Sequence, residues 1–168
     1  MERVIMQDLL KWKESKGRKP LILEGARQVG KTYIMKEFGA RYFENVAYFN
    51  FDTDRALGEI FSNTKDVGRI LERLSLIANM SIEPNKTLII FDEVQECGDA
   101  LNSLKYFCED AREYCVISAG SLLGTYLSQG YSYPVGKVDV LKMYPLTFEE
   151  FLLASDEGLC NIYKSLSL

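Results

Sequence analysis

The chain has 168 residues, 47% hydrophobic and 26% charged, which predicts one domain with its own core, or one domain and an incomplete second. Lys and Arg number 20 against 24 Asp and Glu, and the net charge of −4 disfavours a dedicated nucleic-acid binder while leaving room for a local basic patch. There are 0 histidines, so His-based triads, His general bases and His metal ligands are excluded.

The opening residues mix charged and apolar side chains, unlike a signal peptide, and Ile5, Leu9 and Trp12 mark an amphipathic helix over 2–14. Gly17 and Pro20 stop it. Leu21 to Leu23, an apolar run between Pro20 and Gly25, predicts a buried strand. A helix is expected from Gly30 to about Phe38, ended by Gly39. Val46 to Phe51 predicts a second strand, with Tyr48-Phe49-Asn50-Phe51 in the core. Val67, Ile70, Leu71, Leu74 and Ile77 have helical spacing. Leu88 to Phe91 is a third strand, too short for a helix. Leu101, Leu104 and Phe107 mark another helix, with Asp99 as its cap. Cys115 to Ile117 and Val138 to Met143 predict two more strands. Thr147 to Leu153 reads as a short helix, with Thr147 and Glu150 in capping-box spacing. Residues 54–66 and 121–136, rich in Gly, Ser and Asn, are expected to be loops. Continuous apolar strands separated by helices argue for a parallel sheet covered on both faces.

No apolar run approaches the roughly 18 residues of a membrane span. Cys97, Cys108, Cys115 and Cys160 form no CxxC pair and read as small thiols of a reducing cytoplasm, where the protein is expected.

Gly25-Ala26-Arg27-Gln28-Val29-Gly30-Lys31-Thr32 fits G-x-x-x-x-G-K-[ST], between an apolar strand and a helix. The glycines let the backbone curl so that N–H groups face one point, and the helix start adds the positive end of its dipole. Lys31 places a charge on the β- and γ-phosphates and Thr32 offers a hydroxyl to Mg²⁺. Arg27 either stacks on the base or braces the loop. The nucleotide-contacting set is read as Gly25, Arg27, Gln28, Val29, Gly30, Lys31, Thr32 and Tyr33.

Leu88-Ile89-Ile90-Phe91-Asp92-Glu93 is an apolar run ending in two acids. At the carboxyl end of a parallel strand Asp92 emerges beside the phosphate loop and holds Mg²⁺ directly or through a water. Glu93 either points to the opposite face or turns with the loop, where it orients and deprotonates a water. Asp52, ending the second strand, is a further candidate for assisting Mg²⁺. The strand Val46 to Phe51 lies between loop and acids in the chain, which suggests that another strand separates theirs in the sheet. That is the arrangement of P-loop NTPases with a catalytic glutamate: a three-layer α/β/α fold on a mostly parallel five-stranded sheet. A simple nucleotide kinase is not expected.

With these motifs the chain resembles the AAA-type ATPases of bacteria and archaea that carry a GxRQVGKT loop. Its acidic strand matches at Leu88 to Gln95 (LIIFDEVQ), a Gly-Ser pair at Gly120-Ser121, and a later motif at Val135-Gly136-Lys137-Val138 and Tyr144-Pro145-Leu146-Thr147-Phe148-Glu149-Glu150-Phe151. The resemblance covers about residues 2–153. It implies Mg²⁺-dependent ATP binding and hydrolysis with Glu93 and Lys31 in catalysis, and a γ-phosphate sensor at Ser121, or else at Ser118. Lys137 stands where the family usually has arginine, giving charge without the bidentate fork. The implied organisation is an ATPase domain over 1–153, with 154–168 the start of a linker or C-terminal region of unknown task. Guanine is disfavoured because no Asn-Lys-x-Asp segment occurs.

Residues 1–20 carry six basic and three acidic side chains, so Lys11, Lys13, Lys16, Arg18 and Lys19 either meet nucleic acid or an acidic partner, or form the solvated face of the first helix. The leading reading is an ATPase exchanging ATP and ADP, with a homo-oligomeric or protein partner and no membrane. The alternative is a slow nucleotide-dependent switch or scaffold acting through a partner, with DNA processing as a candidate task.

Overall fold

In this computed structural model the described residues are 4–121, 134–155 and 157–166. Most of the expected loop 121–136 lies outside them.

Helix α1 (Val4–Glu14) leads into strand β1 (Leu21–Glu24), helix α2 (Lys31–Tyr42) and strand β2 (Asn45–Asn50). Helices α3 (Leu57–Asn63) and α4 (Val67–Ala78) precede strand β3 (Thr87–Asp92) and a 3-10 turn, Val94–Glu96. Helix α5 (Gly98–Asp110), strand β4 (Cys115–Gly120) and strand β5 (Asp139–Lys142) follow, then helices α6 (Phe148–Ser155) and α7 (Glu157–Leu166). The five strands form one sheet in the order β2-β3-β4-β1-β5 with every pairing parallel.

Burial follows position in the sheet. Every residue of β3 and β4 is buried, whereas the edge strands β2 and β5 alternate. A central parallel strand is covered on both faces and an edge strand is not. One face packs on α3, α4 and α5 around Phe91, whose ring meets those of Phe51, Phe61 and Phe107 edge-on at 5.5–6.1 Å. The other face packs on α1 and α2 through Leu9, Trp12, Ile34 and Phe38. The expected capping box forms at α6, where Glu150 N–H donates to Thr147 Oγ1 at 3.2 Å and Thr147 N–H to Glu150 Oε2 at 2.9 Å. Glu150 Oε1 also accepts the Val4 N–H at 3.2 Å, tying α6 to the first turn of α1.

Several elements depart from the sequence reading. Helix α2 runs through Gly39 to Tyr42. A Cβ at Gly39 would collide with Val46 Cγ2 and lie 3.1 Å from Leu88 Cδ2, so the glycine admits close helix–sheet packing instead of ending the helix. Residues 54–66 hold helix α3, because Leu57, Ile60 and Phe61 bury one face. Ile77 is exposed, as α4 buries only Val67, Ile70, Leu71 and Leu74. Asp99 is no cap: α5 starts at Gly98 after Cys97, and Asp99 lies in its first turn. The expected separation of β1 from β3 by another strand does hold: β4 lies between them, and β2 is at the edge. Cys97, Cys108 and Cys115 are free thiols; the side chain of Cys160 lies outside the described residues.

Candidate functional site

The loop between β1 and α2 curls through two left-handed residues, Gln28 (φ 64°) and Gly30 (φ 93°). The left-handed region costs a non-glycine residue roughly 1–2 kcal/mol, so Gln28 holds strain that the surrounding loop imposes. Gly30 precedes α2 with no side-chain cap, which leaves the first-turn N–H groups to another acceptor. A Cβ at Gly25 would lie 2.6 Å from Met143 O and 3.1 Å from Val29 Cγ2. The chain leaving β5 closes on this point, with Met143 N–H donating to Glu24 O at 2.7 Å.

Lys31 is 7% exposed, and its Nζ donates to Gly25 O and Ala26 O at 2.7 Å each. Burial lowers its pKa, against the charges of Glu93 and Asp92, which favour the ammonium. Both acids thus act on Lys31 electrostatically.

Asp92 ends β3 at 2% exposure. Its Oδ2 accepts from Thr32 Oγ1 at 2.6 Å and from Tyr48 OH at 2.8 Å, and its Oδ1 from Glu93 N–H at 3.0 Å. Burial first, then the hydrogen bond to Asp92, pushes the Tyr48 phenol up to about 12, so at neutral pH it is a donor. Glu93 leaves the strand in the left-handed region (φ 52°) and turns with the loop. There its Oε2 accepts from Gln95 Nε2. Among the described residues the buried polar atoms without a partner are Gln95 Oε1 and Ser118 Oγ. They belong to neighbouring elements, because β4 packs on the 3-10 turn.

The structure therefore brings Lys31, Thr32, Asp92 and Glu93 together at the carboxyl edge of the sheet. Register pairs Glu24 with Gly120, so Gly25 and Ser121 leave the sheet side by side. Ser121 is half-buried at that rim, whereas Ser118 lies inside β4 opposite Phe91 and Ile22. Arg27 is exposed, as is Tyr33 at 54%. Asp52 is exposed, with its N–H on Asn50 Oδ1 at 2.9 Å. Lys137 pairs with Glu109 of α5 at 3.2 Å. Of the basic residues at the start of the chain, Arg18 and Lys13 are engaged internally, while Lys11 and Lys16 are exposed. Arg18 donates to Lys13 O, Asn85 Oδ1 and Arg112 O at 2.9–3.3 Å, and Lys13 sits 4.9 Å from the Phe43 ring centre. Sequence reasoning missed Tyr48, Asn50 and Gln95 as site residues. The signal for Tyr48 was its phenol two positions before a strand end facing an acid.

The hydroxyl of Thr32 and the carboxylate of Asp92 form a hard-oxygen pair suited to Mg²⁺, an ion held by one or two carboxylates plus substrate phosphates. The described residues contain no group of three or more Cys, Asp or Glu able to hold a metal. No helix among them is long and apolar enough to cross a membrane.

A parallel sheet with this loop after β1 and acids ending β3, one strand away, defines the P-loop nucleoside-triphosphatase fold. Within that class the chain belongs to the AAA domain family, whose model matches residues 17–152. No curated protein sequence matches the chain. Among solved structures, the ORC1 protein of Aeropyrum pernix, determined in complex with DNA, is similar with a TM-score of 0.51 and 15% identity. The match covers 89% of this chain and 45% of ORC1, so the chain spans less than half of that protein. At this identity the likeness is one of fold.

Proposed function

We propose that this AAA domain binds ATP with Mg²⁺ and hydrolyses it. The observation that carries the reading is the 2.6 Å contact between Thr32 Oγ1 and Asp92 Oδ2, immediately beside Lys31. It supports a site in which the first turn of α2 and the end of β3 act on one nucleotide. The loop N–H groups and the α2 N-terminus hold the phosphates. Lys31 releases the carbonyls of Gly25 and Ala26 and turns its ammonium to the terminal phosphates; burial lowers its pKa and the charges of Glu93 and Asp92 oppose that shift. Thr32 and Asp92 would hold Mg²⁺, which would supply positive charge to neutralise the bound phosphates. Glu93, supported by Gln95, orients a water toward the γ-phosphorus and accepts its proton at a carboxylate oxygen. Ser121, level with the loop, donates to a γ-phosphate oxygen.

Equilibrium binding and turnover of Mg-ATP test this reading. Lys31→Ala is expected to abolish binding, and Glu93→Gln to keep binding while abolishing turnover. Turnover that survives Glu93→Gln removes the assigned base.

Lys137 favours a second reading, that of a slow nucleotide-dependent switch or scaffold. Lys137 precedes β5 at the amino end of the sheet, where Leu21 pairs with Asp139, while the phosphate loop leaves the carboxyl end, so the γ-phosphate lacks that cation and a partner or second copy would supply one. Turnover rising with protein concentration or with an added partner distinguishes this reading. The internal engagement of Arg18 and Lys13 weakens a DNA-processing role.

A further inference from the structure

We propose that Tyr48 is a positioning residue for the Asp92 carboxylate and couples the turn after β2 to the Mg²⁺ site. The proposal rests on the reading of Thr32 and Asp92 given above. The β2–β3 register pairs Tyr48 with Ile90 and Asn50 with Asp92, so the side chains of Tyr48 and Asp92 stand on one face of the sheet, diagonally placed. The phenol spans that diagonal and donates to Oδ2 at 2.8 Å.

Asp92 needs such a donor. It is 2% exposed, and no ion pair among the described residues includes it. A buried carboxylate without a contacting cation depends on the hydrogen bonds it accepts. Of its three donors, Thr32 Oγ1 is the group read as a metal ligand and the Glu93 N–H is backbone. Tyr48 is the side chain whose hydroxyl serves only to hold the carboxylate. It donates to the same carboxylate oxygen, Oδ2, as Thr32 does.

The phenol is itself held. Its oxygen accepts from Asn50 Nδ2 at 3.3 Å, while Asn50 Oδ1 accepts the N–H groups of Asp52 and Thr53 at 2.9 and 3.2 Å. Lys36, one helical turn after Thr32, places its Nζ 3.9 Å from the centre of the Tyr48 ring. The chain of contacts thus runs from the 50–53 turn through Asn50 and Tyr48 to Asp92 and Thr32. Groups that orient a metal-binding carboxylate typically contribute about 10–100-fold to metal affinity.

The test uses the full chain, a fluorescent ATP analogue and a Mg²⁺ titration, with direct Mn²⁺ binding followed by paramagnetic resonance. Tyr48→Phe is expected to bind the analogue in EDTA as the wild type does. It should need about tenfold more Mg²⁺ for half-maximal binding and hold Mn²⁺ correspondingly more weakly. Asn50→Ala, which keeps the phenol and its packing, should shift the Mg²⁺ requirement in the same direction by less, and carries the test if Tyr48→Phe does not fold. An unchanged Mg²⁺ requirement in the folded variants overturns the role of Tyr48 while the functional reading stands. A wild type whose nucleotide binding ignores Mg²⁺ overturns both.

Discussion

Thr32 Oγ1 lies 2.6 Å from Asp92 Oδ2 although 60 residues separate the two in the chain. The fold closes this gap by placing the start of α2 and the end of β3 at the same edge of the sheet. Thr32→Val therefore has a consequence in the metal-free protein. Asp92 loses a donor inside the fold, and stability should fall by about 1–3 kcal/mol, with Thr32→Ser close to wild type. Urea unfolding in EDTA measures this; an unchanged midpoint in the valine variant contradicts the assigned bond.

Gly25 and Gly39 are both packed too closely for a methyl group, and their substitutions should differ in kind. A Cβ at Gly25 meets the backbone oxygen of Met143 at 2.6 Å, so Gly25→Ala displaces the phosphate loop itself. Loss of nucleotide binding is expected along with lower stability. At Gly39 the obstacle is Val46. Alanine gains about 1 kcal/mol of helix propensity there but overpacks the α2–β2 contact by about 1–3 kcal/mol. The second effect prevails, so Gly39→Ala should lower the melting temperature and leave nucleotide affinity intact. Parallel melting and binding curves decide both.

Gln95 donates to the Glu93 carboxylate from 5% exposure. Gln95→Leu frees Glu93 to leave its orientation. A misplaced base costs on the order of a hundredfold in rate, so kcat should drop by about ten- to a hundredfold with little change in KM. Steady-state kinetics separate the two. A change confined to KM would show that Gln95 serves binding instead.

The thiols of Cys97 and Cys115 are both pushed up, chiefly by burial. The charge of Asp99 adds at Cys97, whereas Arg18 and Lys13 oppose burial at Cys115. A group whose folded value is raised keeps its proton where the unfolded chain loses it. Its contribution to stability is full below the unfolded value of about 8.5 and is lost as pH rises through the folded value. Stability should thus decline above about pH 8.5, and less steeply once both residues are alanine. In the folded protein Cys97 should label slowly at pH 8 and Cys115 only on unfolding; rapid labelling of Cys115 contradicts its burial.

What the sequence reveals about this chain depends on distance along it. The phosphate loop is legible because its chemistry is local: two glycines, Lys31 and Thr32 sit where an apolar run meets a helix. The strand cores are legible because Leu88 to Phe91 and Cys115 to Ile117 are too short and too apolar for other roles. The role of Tyr48 is not, since it depends on the β2–β3 register, and an aromatic strand reads as core. Gly39 is ambiguous in isolation, because the same residue ends helices and admits close packing. Helix α3 hides behind its polar neighbours, although Leu57, Ile60 and Phe61 carry helical spacing. The place of β4 between β1 and β3 is a matter of long-range pairing, and Lys137 meets Glu109 only in the folded chain.

The central claim is tested most directly by calorimetric titration of ATP into the wild type and into Asp92→Asn, each with Mg²⁺ and with EDTA. The account predicts saturable binding by the wild type that Mg²⁺ strengthens, and a variant in which that strengthening is largely gone. Equal strengthening by Mg²⁺ in both proteins, or no saturable binding by the wild type, would contradict it.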